Sequence, residues 1–201
     1  MNSIGKNGGC RIGIFGGTFN PPHVAHLIVT EYVRKQLNLD KIFFVPSYIS
    51  PHKKRGEDQL AGDRLRMVRL AVGGNPYFDF SDYELKKKDI SYTHLTVAAF
   101  HSRFPRCQLF LIIGADNYAE FHTWKNPEQI LKLSSLVVMT RPGHRLRVNG
   151  KIPVSKVKLI TVPEIGISSS LIRKMVGRKK SIDYLVPQAV ASHIRRRKLY
   201  R

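Results

Sequence analysis

Short apolar segments alternate with longer segments of helical periodicity along most of this 201-residue chain. The strand-like segments are 11–15, 41–46, 77–85, 107–113, 136–140 and 157–162. The helix-like segments are 23–37, 63–72, 93–101, 126–133, 169–176 and 187–197. This alternation is typical of parallel sheets, because each parallel strand needs a crossover before the next one. We therefore expect an α/β, Rossmann-like doubly wound parallel sheet with helices on both faces, whose ligands bind beyond the carboxyl ends of the strands.

The composition fits one domain over residues 1–201, with 1–9 as a flexible tail. A chain of this length with 42% hydrophobic residues can bury a substantial core without disulfides or metals. Cys10 and Cys107 alone imply no disulfide framework and favour a reducing compartment. The longest apolar run, 109–113, is too short to span a membrane, and the polar start of the chain lacks the apolar core of a secretory signal. We therefore expect a cytoplasmic protein with no membrane partner.

A glycine-rich turn joins the first strand to the first helix. Gly16 and Gly17 remove side chains where a ligand can approach the backbone, and the following helix offers unpaired N–H groups to an anion. His23 and His26 share one face of the first helical turn, where imidazoles can stabilise charge on phosphate oxygens during transfer. The same pair can instead bind a metal or lie on the surface, and the spacing fits neither a P-loop nor a dinucleotide-binding fingerprint.

A second segment, 167–173, reads ISSSLIR. Ser168 and Ser169 stand at a predicted helix start, where they can bind phosphate or cap the helix, and Arg173 can hold phosphate oxygens through two parallel bonds. The run GGTFNPPHVAH at 16–26 resembles the signature GGxFxPxHxGH of the nucleotidyltransferase superfamily with paired histidines, and 167–173 resembles its companion ISSxxIR. We predict that these two segments form two walls of one triphosphate site.

Within that superfamily the chain most resembles the bacterial nicotinate-nucleotide adenylyltransferases, over 11–200. The residues that carry the resemblance are FVP at 44–46, PHK at 51–53, SYT at 91–93, GAD at 114–116, Trp124 and YLVP at 184–187. The resemblance implies transfer of the adenylyl group of ATP to nicotinate mononucleotide, giving nicotinate adenine dinucleotide and pyrophosphate in NAD biosynthesis. Such a transfer needs alignment and charge neutralisation rather than a protein nucleophile.

The resemblance also implies roles for single residues. His23 and His26 contact the transferring α-phosphate, and Arg173 holds the β- and γ-phosphates, so these three are the expected catalytic residues. The residues expected to bind ATP are Gly16, Gly17, Thr18, Phe19, His23, His26, Lys53, Ser168, Ser169 and Arg173. Lys53 can equally be a solvated lysine of its basic loop. Mg²⁺ is the expected cofactor, bound mainly through substrate phosphates and without a protein metal site.

Tyr92, Thr93, Asp116 and Trp124 are the residues expected to bind the acceptor. The family places a tryptophan against the nicotinate ring, although a sole tryptophan is equally typical of a core. Tyr92 and Thr93 begin a predicted helix, whose N–H groups favour a carboxylate over a carboxamide. Asp116 follows a strand and is placed to accept a hydrogen bond from a ribose hydroxyl, or is a simple turn residue.

Two departures from the family pattern concern the substrates. Ala25 replaces the usual glycine of the paired-histidine signature and adds a methyl group near the expected nucleotide. The run His94-Leu95-Thr96 lacks the aspartate that the family often has at its second position. Nicotinamide mononucleotide and a pantetheine phosphate therefore remain alternative acceptors, although Trp124 and the match at 91–93 disfavour the latter.

The net charge of +20 favours anionic partners. Basic runs at 53–55, 86–88, 178–180 and 195–198 are typical of solvated faces and also of nucleic-acid binding. A basic nucleic-acid-binding protein on the same scaffold, inactive because of Ala25, is therefore the alternative from a different functional class. The sequence leaves the oligomeric state open, homo-oligomers included.

Overall fold

The computed structural model describes residues 9–49, 60–143, 152 and 154–201. The strands are β1 Arg11–Gly17, β2 Lys41–Pro46, β3 Phe78–Phe80, β4 Gln108–Gly114, β5 Ser135–Thr140 and β6 Val157–Thr161. Within the described ranges they form a six-stranded sheet in the order β3-β2-β1-β4-β5-β6, and every pairing is parallel. The order reverses at β1, which lies between β2 and β4. This is the predicted doubly wound sheet, and its switch point opens a crevice beyond the carboxyl ends of β1 and β4.

The helices are α1 Val24–Gln36, α2 Ala61–Val72, α3 Tyr83–Lys87, α4 Thr93–Arg103, α5 Ala115–Ala119, α6 Pro127–Leu133, α7 Ser169–Gly177 and α8 Gln188–Arg196. Short 3-10 turns lie at Phe121–Thr123 and Val154–Lys156. Helices α7 and α8 pack together with α2 in a separate apolar cluster that contains Met67, Ile172 and Ile194. The Val24 N–H at the start of α1 donates to Leu185 O at 3.0 Å, so the C-terminal part of the chain lies beside the start of α1.

Two apolar clusters cover opposite faces of the sheet. Phe43 and Val45 of β2 belong to the cluster that contains Val97 of α4. Ile42 and Phe44, the alternate residues of the same strand, belong to the cluster that contains Val33 of α1. Successive side chains of a strand point to opposite faces, so helices lie on both faces, as predicted. Burial on both faces also explains why the central strands are almost continuously apolar.

The prediction of a strand over 77–85 is wrong beyond residue 80. Strand β3 lies at the edge of the sheet, and Ser81 N–H donates to Phe44 O at 3.0 Å just after its last residue. The Ser81 hydroxyl then accepts the N–H of Tyr83 at 3.3 Å, which turns the chain into α3. The sequence pattern also predicts no helix over Ala115–Ala119, because the five residues of α5 are too few to show a helical period.

Cys10 and Cys107 form a disulfide, which the sequence did not predict, since two cysteines alone imply no disulfide framework. Arg11 of β1 pairs with Gln108 of β4, so the residue before each strand lies beside the other, and the two Cα atoms are 4.5 Å apart. Their separation of 97 residues in sequence gave no sign of this contact. The pairing of β1 with β4 decided it.

Two expectations fall outside the described residues: Lys53, and residues 1–8 of the expected tail. In the part of the chain that the structure covers, no helix has the length and apolar character needed to cross a membrane. The longest, α1, has 13 residues.

Candidate active site

The turn after β1 uses its two glycines in different ways. A Cβ atom at Gly16 would meet nothing within 4 Å, and this residue lines the larger cavity of the crevice. A Cβ atom at Gly17 would lie only 3.0 Å from the ring of Phe19. Phe19 is buried with a φ of 50°, and its ring packs edge-on against His26 with centroids 5.2 Å apart. Gly16 therefore leaves space for a ligand, whereas Gly17 leaves space for the phenylalanine that supports the histidine.

The two histidines form a stacked pair at the start of α1. His23 is the N-cap residue and His26 lies one turn later, with ring centroids 3.7 Å apart and an interplanar angle of 24°. The backbone N–H of His23 donates to His26 Nδ1 at 3.2 Å. Because Nδ1 accepts this bond, a neutral His26 ring carries its proton on Nε2. That N–H can donate to an oxygen in the adjoining cavity, which both histidines line.

Burial makes both imidazoles poor bases. It lowers the pKa of His23 to about 4, and together with the charge of His23 it lowers the pKa of His26 to about 3. Both rings are therefore neutral at pH 7 and can donate hydrogen bonds, but carry no positive charge. The N-terminus of α1 also favours an anion at this place, because the first turn of the helix has no acidic residue that would repel it.

The second predicted segment contacts this turn directly. The Ser169 hydroxyl donates to Pro21 O at 2.8 Å, across 148 residues of sequence. The Arg173 guanidinium donates to Asn20 O at 2.8 Å and to the Ser170 hydroxyl at 3.2 Å. The segments at 16–26 and 167–173 therefore lie side by side at one end of the crevice.

Ser168 caps the start of α7, which is one of the two roles that the sequence predicts for it. Its hydroxyl accepts the N–H of Leu171 at 3.1 Å, and its backbone is extended, as expected of the N-cap residue of α7. The helix therefore begins with a satisfied cap, and Ser169 and Arg173 lie within its first turns.

Two further side chains hold the segment 16–26, called here the histidine turn, and sequence reasoning missed both of them. Arg64 of α2 is fully buried and donates to the carbonyl oxygens of Thr18 at 2.9 Å, Ser47 at 2.6 Å and Tyr48 at 3.2 Å. Tyr200 donates its hydroxyl to Asn20 Oδ1. A lone arginine in an amphipathic helix and a tyrosine near the end of a basic segment carry no local signal of these contacts.

The smaller cavity, about 290 Å³, lies on the histidine side of the crevice. It is lined by His23, His26, Ala25 and Asp116, with Met139 and Val162 among its apolar wall residues. Asp116 thus lines a different cavity from the other three residues expected to bind the acceptor. Ala25, the departure from the family signature, also lines this cavity and is buried.

The larger cavity, about 800 Å³, contains Tyr92, Thr93 and Trp124 in its walls and reaches Gly16, Gly17 and Thr18 at the turn. Tyr92 is the N-cap of α4, whose first turn has no acidic residue. The Lys125 ammonium lies 4.4 Å from the centre of the Tyr92 ring. The indole of Trp124 packs on Phe121 with centroids 5.2 Å apart, and its Nε1 is buried without a partner among the described residues.

A metal site built from protein side chains is not present in the described parts of the chain. They contain no group of three or more His, Cys, Asp or Glu side chains that could hold an ion. The histidine pair gains no third side-chain ligand there. Its geometry is that of a donor pair facing a cavity rather than of a metal centre.

Comparison with known proteins relates this chain to one family. The cytidylyltransferase-like family matches residues 14–175. A probable nicotinate-nucleotide adenylyltransferase of Moorella thermoacetica is 41% identical, over 100% of this chain and 95% of its own length. One of Geobacillus thermodenitrificans is 40% identical, over 94% of this chain and 86% of its own length.

Among solved structures, a Plasmodium falciparum nicotinic acid mononucleotide adenylyltransferase complexed with NaAD has the same fold. The TM-score is 0.73 at 19% identity, and the match covers 95% of this chain and 97% of that one. At this identity the likeness shows the fold alone. The relatives above are more than a third identical over almost the whole chain, and on that ground this chain belongs to the nicotinate-nucleotide adenylyltransferase family.

Proposed function

We propose that this protein transfers the adenylyl group of ATP to nicotinate mononucleotide, forming nicotinate adenine dinucleotide and pyrophosphate in NAD biosynthesis. The observation that carries the proposal is the contact of Ser169 and Arg173 with the turn that ends in the paired histidines. It joins phosphate-binding groups to a crevice with a cavity on either side, and curated relatives of the chain carry this activity in their names.

The reaction needs alignment more than acid or base chemistry. An acceptor phosphate oxygen attacks the α-phosphorus of ATP, a new P–O bond forms, and the bond to the bridging oxygen of the leaving pyrophosphate breaks. Since phosphate is already a competent nucleophile, no side chain has to be one. Neutral imidazoles suit this step, because they donate hydrogen bonds to the oxygens on which charge develops.

In this proposal His26 donates its Nε2–H to the α-phosphate, and His23 supports it from the stacked ring. Arg173 holds the β- and γ-phosphates. Its two bonds to protein oxygens use two of the guanidinium N–H groups, and the remaining N–H groups can bind phosphate. The remaining residues proposed to bind ATP are Gly16, Gly17, Thr18, Phe19, Lys53, Ser168 and Ser169.

The acceptor is proposed to bind in the larger cavity. Trp124 would lie against the nicotinate ring, and the N–H groups at Tyr92 and Thr93 would receive its carboxylate. Asp116 would accept a hydrogen bond from a ribose hydroxyl, and its location in the smaller cavity favours the ribose of a nucleotide bound beside the histidines.

Mg²⁺ is proposed as the cofactor. Its preferred ligands are oxygens, which the triphosphate supplies, and the described residues contain no cluster of protein ligands that would compete for it. The ion would neutralise charge on the β- and γ-phosphates and so assist the departure of pyrophosphate. The chain's own residues would align the phosphates and hold the acceptor.

Pyrophosphate release tests the proposal. The full chain is assayed with ATP and Mg²⁺ and with either nicotinate or nicotinamide mononucleotide as acceptor. We expect release with the nicotinate acceptor and a fall in kcat of about 100-fold or more in His26→Ala, as when an oxyanion donor is removed. His101→Ala, an exposed histidine of α4, is the matched control and should keep full activity.

The other predicted alternatives are outcomes of the same assay. Release only with nicotinamide mononucleotide, or only with a pantetheine phosphate, would keep the reaction and change the acceptor. No release with any of them would contradict the proposal. Salt-sensitive binding to nucleic acid without release would favour the nucleic-acid-binding alternative.

A further inference from the structure

Glu84 places a buried carboxyl group in the wall of the larger cavity. It is not among the predicted site residues, and the proposed reaction gives it no role. It lies on α3 and is 8% exposed. It lines the same cavity as Tyr92, Thr93 and Trp124. A buried carboxyl group is costly unless its oxygens are paired, so its partners show what it does.

The partners of Glu84 flank the turn proposed to bind the acceptor. Thr96 donates its hydroxyl to Glu84 Oε1 at 2.6 Å, and the Ser91 side chain also forms a hydrogen bond with the carboxyl group. The Ser91 hydroxyl in turn accepts the N–H of Tyr48 at 2.9 Å. Glu84 thus ties together both flanks of the Tyr92–Thr93 pair, and through Ser91 it reaches the segment after β2.

We propose that Glu84 is a positioning residue for the acceptor, holding Ser91 and Thr96 so that the first turn of α4 is shaped to receive a carboxylate. This inference rests on the proposed function, because it concerns how the same cavity selects its substrate. It assigns Glu84 no contact with the reacting phosphates.

The charge of Glu84 matters to such an acceptor. An ionised carboxylate would repel an acceptor carboxylate in the same cavity, whereas a protonated one would not. Burial raises the pKa of Glu84, while Lys87 on its own helix and the hydrogen bonds from Thr96 and Ser91 act against this. The other ionisable groups that line the cavity are Tyr92, Glu120 and Lys125, and His94 follows Thr93 on α4. Glu84 therefore acts as a hydrogen-bonding group whose ionisation weakens acceptor binding.

The sole tryptophan allows acceptor binding to be measured without chemistry. Trp124 lines the same cavity, so nicotinate mononucleotide is titrated into the full chain and tryptophan fluorescence is followed at pH 7. The variants are Glu84→Gln, Glu84→Ala and Thr96→Val. Glu128→Ala, an exposed glutamate of α6, is the matched control.

Glu84→Gln should bind within about 3-fold of the wild type, because its amide oxygen can accept both hydroxyl bonds. Glu84→Ala should bind about 10-fold more weakly or worse, and Thr96→Val should lie between the two. In adenylyl transfer, Glu84→Ala should raise the KM of the acceptor and leave kcat and the KM of ATP nearly unchanged. Wild-type affinity should fall as the pH rises, and that of Glu84→Gln should not.

Acceptor binding by Glu84→Ala equal to that of the wild type would overturn the inference. So would equal loss in the glutamine and alanine variants, which would show that the charge and not the hydrogen bonding is needed. If Glu84→Ala does not fold, the comparison of Thr96→Val with the wild type decides. A wild type that binds nicotinamide but not nicotinate mononucleotide would instead contradict the proposed function.

Discussion

The two sides of the crevice are held in different ways. The histidine turn is fixed from outside, by Arg64, Ser169 and Arg173, whose side chains bond to its main-chain oxygens from other elements. The turn at Tyr92 and Thr93, called here the acceptor turn, is held mainly by hydrogen bonds among the side chains of Glu84, Ser91 and Thr96, which are close together in sequence. Main-chain bonds tolerate changes in the turn's own side chains, whereas side-chain bonds do not. We therefore expect phosphate binding to depend on distant residues and acceptor choice on nearby ones.

The largest expected effect is on the phosphate side. Arg173→Ala removes a cation and the bond to Asn20 O, and kcat should fall about 100- to 1,000-fold. Nicotinate mononucleotide should still bind with wild-type affinity in the Trp124 fluorescence titration, since Arg173 does not line the larger cavity. Steady-state kinetics and the fluorescence titration measure the two effects, with the exposed Arg178→Ala as control. An equal loss of acceptor binding would break the division between the two sides.

Arg64 is expected to matter to both sides. It donates to Thr18 O in the histidine turn and to Tyr48 O. The N–H of the same Tyr48 donates to the Ser91 hydroxyl on the acceptor side. Arg64→Met removes the hydrogen bonds that a fully buried guanidinium donates to these carbonyl groups and should lower the free energy of unfolding by about 2–3 kcal/mol. Urea unfolding and both KM values measure this, with the exposed Arg66→Met as control. A change in the KM of ATP alone would show that the two turns are independent.

The histidine pair should make stability depend on pH. The pKa values of His23 and His26 lie near 4 and 3 in the fold, against an ordinary value of 6.5, so the unfolded chain binds more protons between about pH 4 and 6.5. The free energy of unfolding should therefore fall as the pH drops through this window, by on the order of 1–2 kcal/mol for each histidine. In His26→Ala the free energy of unfolding should fall less over this pH range, and in His101→Ala it should fall as much as in the wild type. Unfolding curves at pH 7 and pH 4.5 compare them.

The smallest expected effect concerns the end of the chain. Tyr200→Phe removes only the hydroxyl bond to the Asn20 side chain, and the KM of ATP should rise about 3- to 10-fold, with acceptor binding unchanged. The matched control is Tyr184→Phe, at a side chain that is 93% exposed. Equal KM values in the two variants would show that Asn20 is held well enough by Arg173.

Local patterns predict the elements that tertiary contacts also favour. The apolar runs of β2 and β4 are buried on both faces, so composition and burial agree, and their predicted bounds differ from the structure by at most one residue. At the edge of the sheet, β3 has a neighbour on one side, and a serine side chain ends it early. A pattern of side chains does not say how many neighbours a strand will have.

The candidate site shows the same division. The glycine turn, the histidine pair and the ISSSLIR segment were predicted as one site because the two segments resemble two signatures of one superfamily, and they do lie together. Glu84 and Arg64 are single charged residues in ordinary surroundings. Their roles come from partners in other elements, Thr96 of α4 for Glu84 and the carbonyl group of Thr18 for Arg64, which no local pattern specifies.

The sequence alone predicted the alternating strands and helices, the parallel sheet, and the residue types proposed to bind phosphate at the ends of its strands. These depend on periodicity and local backbone geometry, which are properties of short segments. The tertiary structure decided the disulfide of Cys10 with Cys107, the separation of Asp116 from Trp124, and the bonds that hold each turn. Those depend on which strands become neighbours and which polar groups are buried together, and burial exists only once the chain has folded.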